Sequence, residues 1–289
     1  MSKAIKPEQL YNFSIPQFIS RALAEDIGDG DHTSLACIPK DAKGKAKLLV
    51  KENGILAGVE LALQIFKAVD PALKVKTFLK DGSPIRVGDV VLTVEGSSQS
   101  ILVAERLVLN CMQRMSGIAT KTNMLVTLCK GTKAKVIDTR KTTPNLRGLE
   151  KWAVVIGGGA NHRIGLYDMI LIKDNHIDYA GGIPQAIKAA NEYLKTNKKK
   201  LKIEIEARDL DEVKQILAVG KVHRIMLDNF SYADIRKAVK LIGGKYETEA
   251  SGGINEKTIR SFAKCGVDFI SVGALTHHIK SLDLSLKAI

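Results

Sequence analysis

Six short β-branched runs in the second half of the chain each give way to a polar residue that could do chemistry. AKVIDTRK reaches Asp138, YDMILIKDNH reaches Lys173, LKIEIEARD carries Glu206, VHRIMLDNF carries Asp228, and YETEASGG and VDFISVGAL reach Ser251 and Ser271. Arg140 and Lys141 follow the first run, and His162 and Arg163 precede the second. Any one of these is more often a helix cap or a solvated loop residue. As a set they differ in kind. Arg140, Lys141, His162, Arg163 and Lys173 gathered at one mouth would repel one another unless a strongly anionic ligand sat among them. Glu206 and Asp228 would face the same place.

Two glycine-bearing loops make part of that anion a phosphate. Ser251, Gly252 and Gly253 follow a strand and precede a helical segment read from Asn255, and Ser271, Val272, Gly273 and Ala274 repeat the arrangement one unit later. Glycine lets backbone N–H groups approach a phosphate, and a helix start adds its positive end. Tight packing turns are the plainer alternative. Gly157-Gly158-Gly159 lacks the spaced third glycine of a dinucleotide fingerprint, so it reads as a flexible or close-approach loop leading into Asn161-His162-Arg163.

The six strand-end residues stand 35, 33, 22, 23 and 20 positions apart, the rhythm of repeated βα units. Continuous apolar strands buried on both faces imply a parallel sheet closed or nearly closed into a barrel, with an open doubly wound sheet as the alternative. Both put the ligand at the carboxyl ends of the strands. Ahead of them, an amphipathic opening from Glu8 to Asp26, the strand-like AKLLVKENGILAG and VVLTVEG, and a helical Val59 to Val69 make a mixed α/β module. Ser100 to Cys129 has the apolar spacing of one or two helices. The expected organisation is an α/β domain over 1–116 ending in a helical connector, then a βα-barrel domain over 117–289. The sequence leaves open whether the final SLDLSLKAI returns to the first domain.

A net charge of +13 favours anionic partners, but much of the excess is the KTNKKKLK run at Lys195–Lys202, which reads as a solvated helix end. With 5% aromatic residues and no zinc-ligand spacing, nucleic acid is not the expected partner. Cys37, Cys111, Cys129 and Cys265 form no CxxC and are read as reduced thiols. The opening MSKAIKPEQLYNF has no apolar signal core and no run suits a membrane span, so a cytoplasmic protein without membrane contact is expected. His176 reads as structural, and His32, His223, His277 and His278 as surface or packing residues.

EDIGDGDHTS, AERLVLNCMQRMSGIAT, DTRKTTPNLRGLEKWAV, GGGANHRIGLYDMILIKDNH, IEIEARDLDEV, MLDNF, EASGGI and VGALTH, in that order from about Glu25 to His277, resemble the quinolinate phosphoribosyltransferases, or carboxylating nicotinate-nucleotide pyrophosphorylases. The resemblance implies an N-terminal α/β sandwich followed by an incomplete, open βα barrel. It implies transfer of phosphoribosyl from phosphoribosyl pyrophosphate to quinolinate with decarboxylation. Thr139, Arg140, His162 and Arg163 would bind substrate, the latter three at the quinolinate carboxylates, and Lys141 and Lys173 would contact quinolinate or pyrophosphate. Glu206 and Asp228 would address the ribose hydroxyls and, directly or through water, Mg2+. Ser251, Gly252, Gly253, Val272, Gly273 and Ala274 would cradle the 5-phosphate. Arg106 would complete the site of a neighbouring subunit in a homodimer or larger assembly. A nicotinate phosphoribosyltransferase, a lyase using Lys173 as a Schiff base and a nucleic-acid-binding protein are the competing readings.

Overall fold

The computed structural model describes residues 13–289, so the Glu8–Asn12 part of the amphipathic opening lies outside the described residues. The chain divides into two units, one comprising residues up to Asn123 with Thr143–Gly158 and His278–Ile289, the other Met124–Thr142 with Gly159–His277.

The first unit opens with α1 (Ile15–Ile27) and α2 (His32–Cys37), followed by β1 (Lys43–Val50), β2 (Gly54–Ile55), α3 (Val59–Val69), β3 (Lys74–Thr77), β4 (Pro84–Ile85) and β5 (Val90–Ser97). Ser14 starts α1 by accepting the Gln17 N–H, with Pro16 in the first turn, where its missing donor costs nothing. Val59–Val69 is helical over the span its spacing predicts, burying Leu61, Ala62, Ile65 and Phe66 on one face. β1, β3 and β5 join in an antiparallel sheet of order β12-β1-β5-β3, whose outer strand β12 (Leu284–Ala288) is the chain's last. The closing segment therefore pairs with β1, from Ala46 opposite Ala288 to Val50 opposite Leu284.

The Ser100–Cys129 stretch is one 31-residue helix, α4 (Ser98–Leu128). After it come β6 (Lys135–Ile137), α5 (Arg147–Ile156), β7 (Met169–Ile172), α6 (Asp174–Ala180), α7 (Ile183–Thr196), β8 (Lys202–Ala207) and α8 (Leu210–Val219). The remaining elements are β9 (Arg224–Asp228), α9 (Tyr232–Ile242), β10 (Glu247–Ser251), α10 (Ile259–Ala263), β11 (Phe269–Ser271) and α11 (Ala274–His277).

The six strands β6 to β11 form a parallel sheet of order β6-β11-β10-β9-β8-β7. The first strand closes onto the last, as in a barrel, and only the β6–β7 seam stays open. The segment linking those two strands explains why: α5 is built into the first unit, where Glu150 is gripped by Arg114 of α4 and Asn123 donates to the Gly157 carbonyl. Beside the open edge of β6, Ala160 takes the place of a strand for one residue, donating to the Val136 carbonyl at 2.9 Å and accepting the Asp138 N–H at 3.3 Å.

The expectation of strands apolar on both faces fails for β8 and β10. Strand alternation puts Ile203, Ile205 and Ala207 on one face of β8 and Glu204 and Glu206 on the other, and all five are buried. In β10, Glu249 is fully buried between the buried Thr248 and Ala250.

Candidate active site

The end of β6 organises the basic residues. Asp138, fully buried, accepts the His162 N–H at 2.9 Å and Asn161 Nδ2 at 2.5 Å, which fixes the loop entering His162–Arg163 against the first strand. Thr139 Oγ1 accepts the Lys141 N–H at 3.0 Å, and Thr276 Oγ1 donates to the Lys141 carbonyl at 2.7 Å, joining this loop to α11. Arg163 Nη1 donates to the Met169 carbonyl at 3.2 Å. Burial holds the Arg163 guanidinium below its ordinary pKa, and the charge of Arg140 beside it pushes the same way. Two like-charged guanidiniums within reach of each other are what an anion site requires.

The next strands bring the carboxylates and the loops. Lys173 Nζ lies 2.8 Å from Glu206 Oε1, and Glu206 Oε2 accepts the Asp174 N–H at 3.3 Å. Asp228, half-buried at the end of β9, sits opposite Ser251 in the ladder, and the Asn229 N–H donates to the Ser251 carbonyl. Gly252 is required here: its φ is +104°, and a Cβ would lie 2.2 Å from Asn229 Oδ1. A Cβ on Gly273 would press on the Lys141 stem and on His277, both at 3.1 Å, so the second glycine loop and Lys141 are packed together.

The helix read from Asn255 begins four residues later. Asn255 spends its own groups on a turn, with its Oδ1 accepting the Lys257 N–H and its carbonyl accepting the Thr258 N–H, and α10 runs only from Ile259 to Ala263. α11 is shorter still, at four residues. A macrodipole needs aligned peptides, so donors at these loops are chiefly the individual backbone N–H groups.

His162 is turned away from the loops. Its Nδ1 accepts the Arg163 N–H at 2.6 Å, and its Nε2 lies 3.0 Å from Glu204 Oε2 and 3.6 Å from Glu249 Oε2, off the line of an ideal hydrogen bond to either. Arg224 Nη1 reaches the same carboxylates, 3.0 Å from Glu249 and 3.8 Å from Glu204, while its guanidinium stacks over Phe269. Desolvation pushes Glu204 up to about 7 and Glu249 up to about 8, the latter raised further by the Glu204 charge. Sequence reading passed over this buried cluster. Its signal is the paired glutamates at two-residue spacing, 204 with 206 and 247 with 249, in strands otherwise buried.

This constellation sits in a chain that matches known proteins along nearly its whole length. Residues 31–116 match the family model described as Quinolinate phosphoribosyl transferase, N-terminal domain, and residues 118–287 match its C-terminal domain. The chain belongs to the quinolinate phosphoribosyltransferase family. It is 47% identical over 302 residues to the nicotinate-nucleotide pyrophosphorylase [carboxylating], chloroplastic, of Arabidopsis thaliana, covering 99% of this chain and 86% of that protein. The probable nicotinate-nucleotide pyrophosphorylase [carboxylating] of Bacillus subtilis is 39% identical over 275 residues, 95% of this chain and 93% of that one. The solved structure of the nicotinate-nucleotide pyrophosphorylase from Francisella tularensis has a TM-score of 0.91 at 40% identity and covers 99% of each chain.

Arg140, Lys141, His162, Arg163, Lys173, Glu206, Asp228 and both glycine loops all belong to the barrel unit. Arg106 does not. It lies on α4 within the first unit and is exposed. Among the described residues no helix is long and apolar enough to cross a membrane.

Proposed function

We infer that the chain transfers the phosphoribosyl group of phosphoribosyl pyrophosphate to quinolinate with loss of carbon dioxide, the step of NAD biosynthesis that gives nicotinate mononucleotide and pyrophosphate. The observation that carries this reading is that Arg163, in the loop held against the end of β6, feels the charge of Arg140 in the unit that also carries the two glycine loops. Guanidinium forks match planar carboxylates, and the loops suit a phosphate. Arg140 and Arg163, with Thr139 at the same end, hold the dicarboxylate, and His162, whose ring nitrogens face the Arg163 N–H and the buried glutamates, supports Arg163 from behind. Lys141 and Lys173 face the pyrophosphate, and Ser251–Gly253 and Val272–Ala274 receive the 5-phosphate.

As the bond from the anomeric carbon to pyrophosphate breaks, its electron pair leaves with oxygen and positive charge grows on the ribose. Glu206 and Asp228 stabilise that charge while the lysines stabilise the departing anion. The pyridine nitrogen bonds to the anomeric carbon and becomes cationic. When the neighbouring carboxylate leaves as carbon dioxide, its electron pair stays on the ring carbon under the pull of that cation, and a proton fills the position. Lys173 is committed to an ion pair with Glu206, which disfavours the Schiff-base alternative.

Magnesium is commonly held by one or two carboxylates plus substrate phosphates, and Glu206 and Asp228 offer hard oxygens of that kind. Glu206 is already taken up by Lys173 and the Asp174 N–H, which favours contact through water; the ion would neutralise charge on the diphosphate. Arg106, exposed on α4, reaches the site of a neighbouring subunit in a homodimer or larger assembly. Four free thiols, three of them buried, suit a reducing compartment, and we place the protein in the cytoplasm. Incubation with quinolinate, phosphoribosyl pyrophosphate and Mg2+ should yield nicotinate mononucleotide. Product from nicotinate and none from quinolinate would overturn the reading.

A further inference from the structure

We propose that the buried Glu204–Glu249 pair is a positioning device that locks His162 as the Nε2–H tautomer, so that its bare Nδ1 anchors the backbone of Arg163 at the mouth of the barrel. The hydrogen bonding dictates the tautomer. Because the Arg163 N–H donates into Nδ1 at 2.6 Å, that nitrogen carries no proton, and the ring's single proton sits on Nε2. Nε2 in turn lies against two carboxylates, 3.0 Å from Glu204 and 3.6 Å from Glu249, in a pocket where Glu204, Glu249 and His162 are all buried. The opposite tautomer would turn a proton on Nδ1 toward the Arg163 N–H and lose that hydrogen bond, which is unfavourable.

The same three side chains also place one ligand atom each within 4.8 Å of one another, which is compatible with a metal ion. The ring argues against that use. A metal on Nε2 needs that nitrogen bare and is usually matched by an Nδ1–H donor, the reverse of what Arg163 imposes. Arg224 already supplies the cation, at 3.0 Å from Glu249. Asp138 completes the arrangement by accepting the His162 N–H, so the peptide groups on either side of the His162 α-carbon are each held by their N–H, one by Asp138 and one by the imidazole. Glu204 and Glu249 thus act on substrate only through His162 and Arg163.

The positioning role rests on Arg163 binding the dicarboxylate. Nitrogen NMR of the intact enzyme labelled at histidine reads the tautomer without substrate, and should show His162 with an unprotonated Nδ1 and a protonated Nε2. An Nδ1–H or imidazolium ring in the wild type, or a divalent metal copurifying at one equivalent and lost in Glu204→Leu, overturns the proposal. In kinetics, Glu204→Leu should raise KM for quinolinate about ten-fold with kcat changed by about two-fold at most. Glu204→Gln, which keeps an oxygen acceptor, should restore both the KM and the nitrogen spectrum. An equal fall in kcat, or an unchanged KM while Arg163→Lys raises it, contradicts the positioning role. If Arg163→Lys itself leaves KM unchanged, the substrate reading falls and the positioning role with it, while the tautomer assignment still stands or falls on the spectrum.

Discussion

Lys173 Nζ lies 2.8 Å from Glu206 Oε1, tying the end of β7 to the end of β8 at the mouth of the barrel. In the proposed reaction the two opposite charges serve opposite sides of one bond, so each should matter more than an exposed ion pair does. Lys173→Ala and Glu206→Gln are each expected to lower kcat by about 100-fold or more. The double variant should lose much less than the product of the two, because they act as a unit. Steady-state kinetics on the three variants decides this.

Arg140→Lys and Arg163→Lys keep the charge and lose the fork. Each should raise KM for quinolinate by roughly 10- to 100-fold, the equivalent of about 1.5–3 kcal/mol for a charge-assisted hydrogen bond. KM for phosphoribosyl pyrophosphate should change far less. Equal effects on both substrates would place these arginines elsewhere.

Much of this site could be read before the fold. Asp138, Lys173, Asp228, Ser251 and Ser271 were legible as strand ends because an apolar run stops at each and the chain turns polar. The partners of His162 were not: Glu204 and Glu249 come from distant strands, and a glutamate between isoleucines looks the same whether its face is wet or buried. The open β6–β7 seam was likewise hidden, because α5 has an ordinary amphipathic pattern that does not say which unit will claim it. The late start of α10 turns on how Asn255 spends its side chain, a competition that propensity does not settle.

Glu249 gives the stability a pH slope of known sign. Its folded value of about 8 lies above the ordinary 4.5, so between those values the native state keeps a proton that the unfolded chain has released. The contribution is fully present below the unfolded value and is lost as pH rises through about 8. The melting temperature should therefore carry a downward term from about pH 5 to about pH 9, and Glu249→Gln should flatten it. A slope unaffected by that substitution would contradict the assignment.

In the first unit, Glu150 is 1% exposed and accepts Arg114 Nε at 2.8 Å and the Thr143 N–H at 3.1 Å. Arg114→Ala strands a buried carboxylate and should cost about 3–5 kcal/mol in urea unfolding. Pairing it with Glu150→Gln should recover part of that loss.

The proposal that Arg106 completes a neighbouring subunit's site is tested by complementation. Arg106→Ala and Lys173→Ala should each be nearly inactive. Mixed in equal amounts and allowed to exchange, they should regain roughly a quarter of wild-type activity, since half of the dimers then carry one intact site of two. No recovery would place Arg106 outside the partner's site.

Release of labelled carbon dioxide from quinolinate, followed together with pyrophosphate and mononucleotide, tests the proposed activity most directly. One carbon dioxide and one pyrophosphate should appear per nicotinate mononucleotide, only with phosphoribosyl pyrophosphate and Mg2+ present, and nicotinate should not substitute for quinolinate. Carbon dioxide released without pyrophosphate, or ready use of nicotinate in place of the dicarboxylate, would contradict it.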